Sequence, residues 1–155
     1  MYKQYIQIKN GKAFSSVQIP ADMPIMELTG TVILDRDIKD DISNYTQIGP
    51  NTYLGPSGDV DDYIAHHCDP NCKLHIVGNR AILYSMYVIP AGAEINFDYS
   101  TTSTDAATTN CNCGSNKCRK IISGHHSLSP ELKEVYKNKG MLPLYILEPN
   151  MIYKR

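Results

Sequence analysis

The residues best suited to chemistry are five cysteines, three of which crowd one short loop. Cys111, Cys113 and Cys118 follow a C-x-C-x4-C spacing. A structural zinc site needs four tetrahedral ligands, so the loop needs a fourth ligand from elsewhere, for which Cys68 and Cys72 are candidates. Weaker candidates are the histidines His66, His67, His75, His125 and His126. The loop has little apolar content, and metal binding can supply the missing folding energy. The alternatives are reduced surface cysteines or a disulfide between Cys111 and Cys118.

The composition indicates one globular domain. The 155 residues are 42% hydrophobic and 20% charged, with a formal net charge of -1. There is no basic stripe, so we expect no direct nucleic-acid ligand, because phosphate binding needs clustered Lys and Arg. No apolar run approaches the ~20 residues of a membrane span, and the N-terminus lacks a signal peptide's apolar core. We therefore expect a soluble, intracellular protein that does not contact membranes. Inside cells, cysteines favour metal binding or catalysis over disulfides.

Many short strands must position these cysteines. Asn10-Gly11 is a strong two-residue hairpin signal between alternating segments. Further strands are predicted at 25–28, 31–34, 52–54, 73–77, 80–89 and 94–99. The charged stretch 35–45 is predicted to be a loop or short helix, and 100–110 a flexible connector. This pattern predicts a mostly β fold.

The C-terminal part is predicted to contain one helix. Ser129 serves as N-cap, Pro130 occupies the first position and Gly140 is the stop signal. The tail that follows is expected to pack on the body of the domain. Its apolar residues are Leu142, Leu144, Ile146, Leu147 and Ile152.

Four segments, in this order, resemble the SET-domain protein lysine methyltransferases. Ile25 to Gly30 looks like the family's Ile-x-Glu-Tyr-x-Gly, and His66-His67-Cys68-Asp69-Pro70-Asn71 is similar to its Asn-His-Ser-Cys-x-Pro-Asn. The stretch Ile89 to Tyr99 carries an Ala-Gly-x-Glu turn followed by Phe-Asp-Tyr. Cys111 to Arg119 resembles the post-SET pattern C-x-C-x4-C-Arg.

The resemblance implies a fold and a zinc site. The fold is a set of small curved β-sheets with a pseudoknot-like threading of the C-terminal segment. The chain would divide into a SET domain at 1–100, a post-SET zinc segment at 101–123 and a C-terminal helical extension at 124–155, within one structural unit. Structural zinc would be held by Cys68, Cys111, Cys113 and Cys118.

The resemblance also implies a methyl-transfer site that uses S-adenosylmethionine. Tyr99 would be catalytic, with its hydroxyl beside the methyl group and the substrate amine. Tyr45 would line the lysine channel or cofactor cleft, and Phe97 would line the substrate channel and influence how many methyls are added. The cofactor would lie along Lys12-Ala13-Phe14 at its amino acid end and meet Ala65-His66 mostly through backbone groups.

The implied activity is transfer of a methyl group to a lysine amine of a protein such as a histone. An acidic groove would suit a basic peptide of that kind. Solvated loop aspartates are the commoner explanation for acidic residues of this type. The candidates are Asp35, Asp37, Asp40, Asp41, Asp61 and Asp62.

Three departures from the family pattern all concern the cofactor. Ala65 stands where the family has Asn, Asp62 where it has Arg, and Asn10-Gly11-Lys12 where it has Gly-x-Gly. Losing one hydrogen bond to a charged group costs ~1.5–3 kcal/mol, which weakens binding without abolishing it. The alternative hypothesis is therefore a catalytically impaired SET-like module that binds a peptide or partner. A third hypothesis sets the resemblance aside and interprets the cysteines as a redox or zinc-ribbon adaptor.

Overall fold

The computed structural model describes residues 1–151, and these form twelve short strands and two α-helices joined by 3₁₀ turns. The strands are β1 (Ile6–Lys9), β2 (Lys12–Ser15), β3 (Pro24–Leu28), β4 (Val32–Leu34), β5 (Thr46–Gly49), β6 (Thr52–Leu54), β7 (Ala65–His66), β8 (Cys72–Val77), β9 (Arg80–Ser85), β10 (Asn96–Phe97), β11 (Thr109–Asn110) and β12 (Ile121–Ile122). The helices are α1 (Pro130–Asn138) and α2 (Leu144–Leu147). Residues 152–155 of the predicted extension, including the apolar Ile152, lie outside the described residues. No described helix is long and apolar enough to cross a lipid bilayer.

Two three-stranded antiparallel sheets form the body, in the orders β3-β9-β8 and β4-β6-β5. The inward side chains of the first sheet are closely packed: Ile25 and Leu83 have no exposed surface, and Leu74 is 2% exposed. Burying an aliphatic side chain of this size contributes ~1.5–3 kcal/mol. This sheet therefore carries the main hydrophobic core.

The first hairpin has the predicted form. Asn10 and Gly11 have φ values of 51° and 72°, and Lys9 pairs directly with Lys12. Positive φ at both turn residues is what a two-residue type I′ turn requires, and Asn-Gly adopts it at the least cost. The prediction of a hairpin at this point is confirmed.

The predicted strand 94–99 is only partly correct. Asn96–Phe97 forms β10, which pairs in parallel with β7, but Tyr99 begins a 3₁₀ turn, Tyr99–Thr101. The cause is Asp98, whose carboxylate accepts a hydrogen bond from the Ser100 N–H at 3.0 Å. An aspartate in this capping position favours a helical turn over continued extension.

Three further parts of the chain differ from the prediction. Strand β9 ends at Ser85 and not at residue 89, and at this point the Ser85 hydroxyl donates to the Pro20 carbonyl at 2.7 Å. Strand β5 was not predicted. The stretch 100–110 is not simply a flexible connector, because Thr101 and Thr102 are buried, at 2% and 3% exposure. The Thr101 hydroxyl donates to the Asp98 carbonyl at 2.7 Å, which makes this burial of a polar residue possible.

Helix α1 follows the prediction, but the C-terminal part contains a second helix, α2, which was not predicted. The Ser129 hydroxyl accepts the Leu132 N–H at 3.2 Å, Pro130 is the first helical residue, and Gly140 leaves the helix with φ 65°. Leu128, Tyr136, Met141 and Leu142 form a second, smaller core. The tail packs only in part, because two of its apolar residues, Leu144 and Leu147, are exposed by 46% and 43%.

Candidate active site and metal centre

Four cysteine sulfurs from two distant segments meet at one point. The Sγ atoms of Cys68, Cys111, Cys113 and Cys118 all lie within 4.8 Å of one another, and those of Cys68 and Cys111 are 3.7 Å apart. Tetrahedral zinc with Zn–S bonds of about 2.3 Å requires sulfurs about 3.8 Å apart. All five cysteines are free thiols, so the structure does not show the alternative disulfide. The four thiols fit zinc in number, type and spacing, and Cys72 lies outside the cluster.

Backbone groups support the sulfurs. The Arg119 N–H lies 3.4 Å from the Cys68 sulfur, and the Lys120 N–H lies 3.4 Å from the Cys118 sulfur. The hydrogen bond from Lys120 lowers the pKa of Cys118 to about 7, whereas burial raises the pKa of Cys68 to about 12. Thiolates are the form that binds metal, so one ligand is already poised to lose its proton.

A buried ion pair connects the cysteine cluster to the Tyr99 turn. The Asp98 carboxylate has no exposed surface, and the Arg119 guanidinium donates to both of its oxygens, at 2.7 and 2.9 Å. The Tyr136 hydroxyl donates to the same carboxylate at 2.7 Å. None of these three residues was a predicted site residue. Two of them had a signal in the sequence: Asp98 as the middle residue of the Phe-Asp-Tyr segment, and Arg119 as the arginine that follows the last cysteine.

His66 lies between the turn and the cluster. Its Nδ1 accepts the Tyr99 N–H at 3.1 Å, and its Nε2 lies 3.3 Å from the Cys68 sulfur. Burial lowers the pKa of His66 to about 4, although the Asp98 carboxylate opposes this shift. Because Nδ1 accepts a hydrogen bond, the neutral ring carries its proton on Nε2, which faces the Cys68 sulfur. The side chain therefore holds the turn against the cluster and leaves only backbone groups for other contacts.

Tyr99 and Phe97 line a cavity of about 710 Å³. The Tyr99 hydroxyl donates to the Ile64 carbonyl at 2.5 Å, and the rings of Phe97 and Tyr99 lie 4.9 Å apart. Burial raises the pKa of Tyr99 to about 12, so the hydroxyl is neutral at physiological pH. The cavity lining thus includes two neighbouring aromatic rings, with a hydroxyl and a carbonyl oxygen side by side.

Tyr45, which directly precedes β5, lines the same cavity. Its hydroxyl donates to the Asp40 carboxylate at 2.6 Å at an exposed position, and this hydrogen bond raises the pKa of Tyr45. Gly55 allows the ring to approach, because a Cβ there would lie 3.2 Å from the ring. The structure therefore brings the two predicted tyrosines to one cavity, and the Tyr45 hydroxyl is hydrogen-bonded to Asp40.

The cavity is acidic. Its lining among the described residues includes four aspartates and no Lys, Arg or His: Asp41, Asp61, Asp62 and Asp105. All four carboxylates also accept backbone N–H groups of the protein: Asp41 accepts that of Ser43 and Asp105 that of Ala107, both at 2.9 Å. Asp61 accepts the Thr29 N–H at 2.8 Å, and Asp62 accepts the N–H groups of Ser57 and Gly58 at 2.8 and 2.7 Å. Asp35, Asp37 and Asp40, also predicted candidates, do not line the cavity.

Comparison with known proteins identifies the family. Residues 12–100 match the SET domain, which is more than half of the chain. The chain belongs to the SET-domain family. It is 35% identical over 72 residues to the histone-lysine N-methyltransferase NSD3 of Mus musculus, covering 44% of this chain and 5% of that protein. It is 24% identical over 127 residues to the histone-lysine N-methyltransferase SETD2 of Homo sapiens, covering 72% of this chain and 5% of that protein.

Solved structures share the SET fold. The structure of KRYPTONITE in complex with mCHH DNA, H3(1-15) peptide and SAH aligns with a TM-score of 0.61 and 22% identity, covering 72% of this chain and 27% of that chain. The predicted mostly β fold of small curved sheets is confirmed. That complex also contains DNA, so the absence of direct nucleic-acid binding in this protein stays a prediction. The chain spans about 5% of the length of the two curated relatives, and its predicted division at residues 100 and 123 stays a prediction.

The predicted cofactor segments of this SET domain lie outside the acidic cavity. Neither Lys12-Ala13-Phe14 nor Ala65-His66 is among the lining residues. One stretch, 94–97, contacts both: the Ile95 N–H donates to the Ala13 carbonyl at 2.9 Å, and Asn96 pairs with Ala65. The Lys12 ammonium lies 3.7 Å from the Glu94 carboxylate. The two segments are therefore neighbours of one short stretch that ends beside Tyr99.

Proposed function

We propose that this protein is a lysine N-methyltransferase that uses S-adenosylmethionine and acts on a lysine within a basic protein segment, such as a histone tail. The observation that carries the proposal is that Tyr99 and Phe97 line the same cavity as four aspartates. The SET family and the relatives named histone-lysine N-methyltransferases support the reaction class. Among the residues that the structure describes, no cationic side chain lines the cavity, which supports a basic substrate.

The residues around the Tyr99 hydroxyl suit a lysine amine. An amine is nucleophilic only when neutral, and an apolar aromatic wall such as Phe97 and Tyr99 lowers its pKa. The Tyr99 hydroxyl and the Ile64 carbonyl, 2.5 Å apart, provide adjacent oxygens that can accept N–H and weak C–H hydrogen bonds. Holding the nitrogen in line with the methyl carbon is the main contribution to the rate. When bound, S-adenosylmethionine supplies the methyl, which the nitrogen takes as the S–C bond breaks, and the nitrogen then loses one proton.

The residues present fit the methyl donor at two places. The exposed Lys12 and the half-buried Glu94 form a pair of opposite charges, which complements the carboxylate and ammonium of the donor's amino acid end. Ala65 and His66 would contact the adenine through backbone groups, since the His66 ring is turned inward to Tyr99 and Cys68. Asp62, in place of the family's Arg, holds the Ser57 and Gly58 N–H groups and contributes no positive charge.

We also propose that the four clustered cysteines hold structural zinc. The spacing of the sulfurs and the two N–H···S contacts support this assignment. Zinc at this point would fix Arg119, and through it Asp98 and the Tyr99 turn. The proposed role of the metal is therefore to order the segment beside the site, with no part in methyl transfer.

The test begins with calorimetric titration of S-adenosylmethionine and S-adenosylhomocysteine into protein of measured zinc content. Methyl transfer to lysine-rich histone peptides is then compared for the wild type and for Tyr99→Phe. We expect the variant to bind the donor but to lose kcat by on the order of a hundredfold, because the amine loses one of its two oxygen partners. Tyr84→Phe is the matched control, since Tyr84 lies in β9 and does not line the cavity.

A second candidate function is a SET-like module that binds a peptide without catalysis. Ala65 and Asp62 favour it, because neither side chain can supply the amide or guanidinium expected at its position. Absence of donor binding in zinc-loaded, folded protein would decide for this function. Donor binding together with methyl transfer that depends on Tyr99 would exclude it.

A further inference from the structure

The turn that carries Tyr99 is short and depends on its two ends. Tyr99–Thr101 is a single 3₁₀ turn between Asp98 and Thr102. One hydrogen-bonded turn of backbone has little stability by itself. The position of the Tyr99 ring therefore depends on what holds Asp98 on one side and Thr102 on the other.

The C-terminal extension holds the first end. Tyr136, in helix α1, is 4% exposed, and its hydroxyl donates to the Asp98 carboxylate at 2.7 Å. The same hydroxyl lies 3.4 Å from the Cys68 carbonyl. One buried hydroxyl thus contacts both the residue before Tyr99 and the segment that carries Cys68.

The extension holds the second end as well. Tyr145, in helix α2, is 6% exposed, and its hydroxyl donates to the Thr102 carbonyl at 2.6 Å, with the Gln47 carbonyl 3.1 Å away. Gln47 lines the cavity. The hydroxyl of Tyr145 therefore connects the residue after the turn to a second residue of the cavity lining.

We propose that Tyr136 and Tyr145 are positioning residues for Tyr99. Both lie beyond residues 12–100, the part of the chain that matches the SET domain, so this extension completes the site from outside the matched region. The two hydroxyls fix the turn at both ends and thereby keep the Tyr99 hydroxyl on the Ile64 carbonyl. The inference rests on the proposed methyltransferase function, because the consequence of displacing Tyr99 is a slower reaction.

The experiment compares Tyr136→Phe, Tyr145→Phe and the double variant with the wild type, using histone peptide and S-adenosylmethionine. Each substitution removes one hydroxyl and keeps the ring. Tyr87→Phe is the matched control: Tyr87 is 48% exposed, and its hydroxyl accepts a hydrogen bond from Lys139 of the same extension at 2.9 Å. It therefore loses a contact with the extension that does not involve the turn.

We expect each single variant to lose kcat by on the order of tenfold, because a small displacement of an aligned group is costly to the rate. The KM for peptide should stay within about twofold of the wild type, since the acidic lining is unchanged. Zinc content should remain that of the wild type. Tyr87→Phe should change neither kcat nor KM.

Unchanged kcat in both single variants, measured well below their Tm, would overturn the inference even if the Tm falls, because it would show that the hydroxyls act on stability alone. If Tyr136→Phe fails to fold because Asp98 loses a partner, Tyr145→Phe decides the question, since its partner is an uncharged carbonyl. Wild-type protein that transfers no methyl group would instead overturn the proposed function, and the inference with it. An active wild type with unaffected variants overturns the inference alone.

Discussion

The β3-β9-β8 sheet and the cysteine segment 109–122 are stabilised by different forces. In the sheet, Ile25, Leu74 and Leu83 are at most 2% exposed, so apolar burial is sufficient to hold it together. In the cysteine segment, Cys111 is the one buried residue, Ile121 is 51% exposed, and β11 pairs with β12 over two residues. The sheet is therefore stabilised by apolar burial, whereas the cysteine segment has little apolar burial and brings its sulfurs together instead.

The two regions meet at Asp98. This carboxylate follows β10, at the edge of the hydrophobic core, and its charge partner Arg119 belongs to the cysteine segment. Loss of order in the segment would therefore leave a buried charge without its partner beside Tyr99. The segment with little apolar burial therefore supplies the charge partner of the residue that precedes Tyr99.

The largest expected effect comes from removing a cysteine of the cluster. Cys111→Ser should abolish stoichiometric zinc binding, because ligation by four thiolates is worth on the order of 10 kcal/mol. Amide hydrogen exchange should then show loss of protection in residues 109–122, with protection of β8 and β9 retained. Zinc content is measured on the same samples.

Cys72→Ala is the matched control for this prediction. Cys72 is fully buried in β8 and lies outside the sulfur cluster. Its loss should cost about 1 kcal/mol of unfolding free energy and leave zinc content unchanged. Zinc retained by Cys111→Ser, or lost by Cys72→Ala, would contradict the contrast between the two regions.

The next effect concerns the ion pair that joins them. Arg119→Met should lower the free energy of unfolding by about 3–5 kcal/mol, because Asp98 is left as an uncompensated buried charge. Urea unfolding measures the loss, and adding Asp98→Asn should recover part of it. A cost below about 1 kcal/mol would show that the ion pair does not stabilise the junction between the two regions.

Much of the local structure could be predicted from sequence because short-range chemistry decides it. Asn10-Gly11 admits positive φ at both positions, and Ser129 caps a helix that starts at Pro130. In contrast, the end of the predicted strand at Tyr99 was wrong, because the Asp98 carboxylate captures the Ser100 N–H. That competition depends on Arg119 and Tyr136 holding Asp98 in the interior, which the alternation of side chains does not reveal.

The site was less accessible to sequence reasoning because it is assembled from distant segments. Spacing alone left Cys68 and Cys72 as equal candidates beside the loop, and the choice of Cys68 came from the family resemblance. Asp62 could be expected in an acidic groove, but not its hydrogen bonds to the turn at Ser57. Tyr136 and Tyr145 lie where no family pattern reached, so their contacts with Asp98 and Thr102 had no sequence signal.

The smallest expected effect comes from two glycines, Gly78 in the turn between β8 and β9 and Gly30 beside the cavity. Gly78 has φ 58° and no atom within 4 Å of where a Cβ would stand, so Gly78→Ala in the β8–β9 turn should cost only about 1–2 kcal/mol for the left-handed backbone. Gly30 has φ 130°, and a Cβ there would collide with the carbonyl of Gly55, a cavity residue. Gly30→Ala should cost about 2–3 kcal/mol.

Only Gly30→Ala should also raise the KM for peptide, because the collision moves the wall that Gly55 and Tyr45 share. Chemical unfolding measures the stability of both variants, and steady-state kinetics measures the KM. Equal stability losses and equal KM values in the two variants would mean that the cavity wall accommodates a Cβ as readily as the exposed β8–β9 turn. A raised KM confined to Gly30→Ala would instead show that the shape of the cavity depends on this close backbone approach.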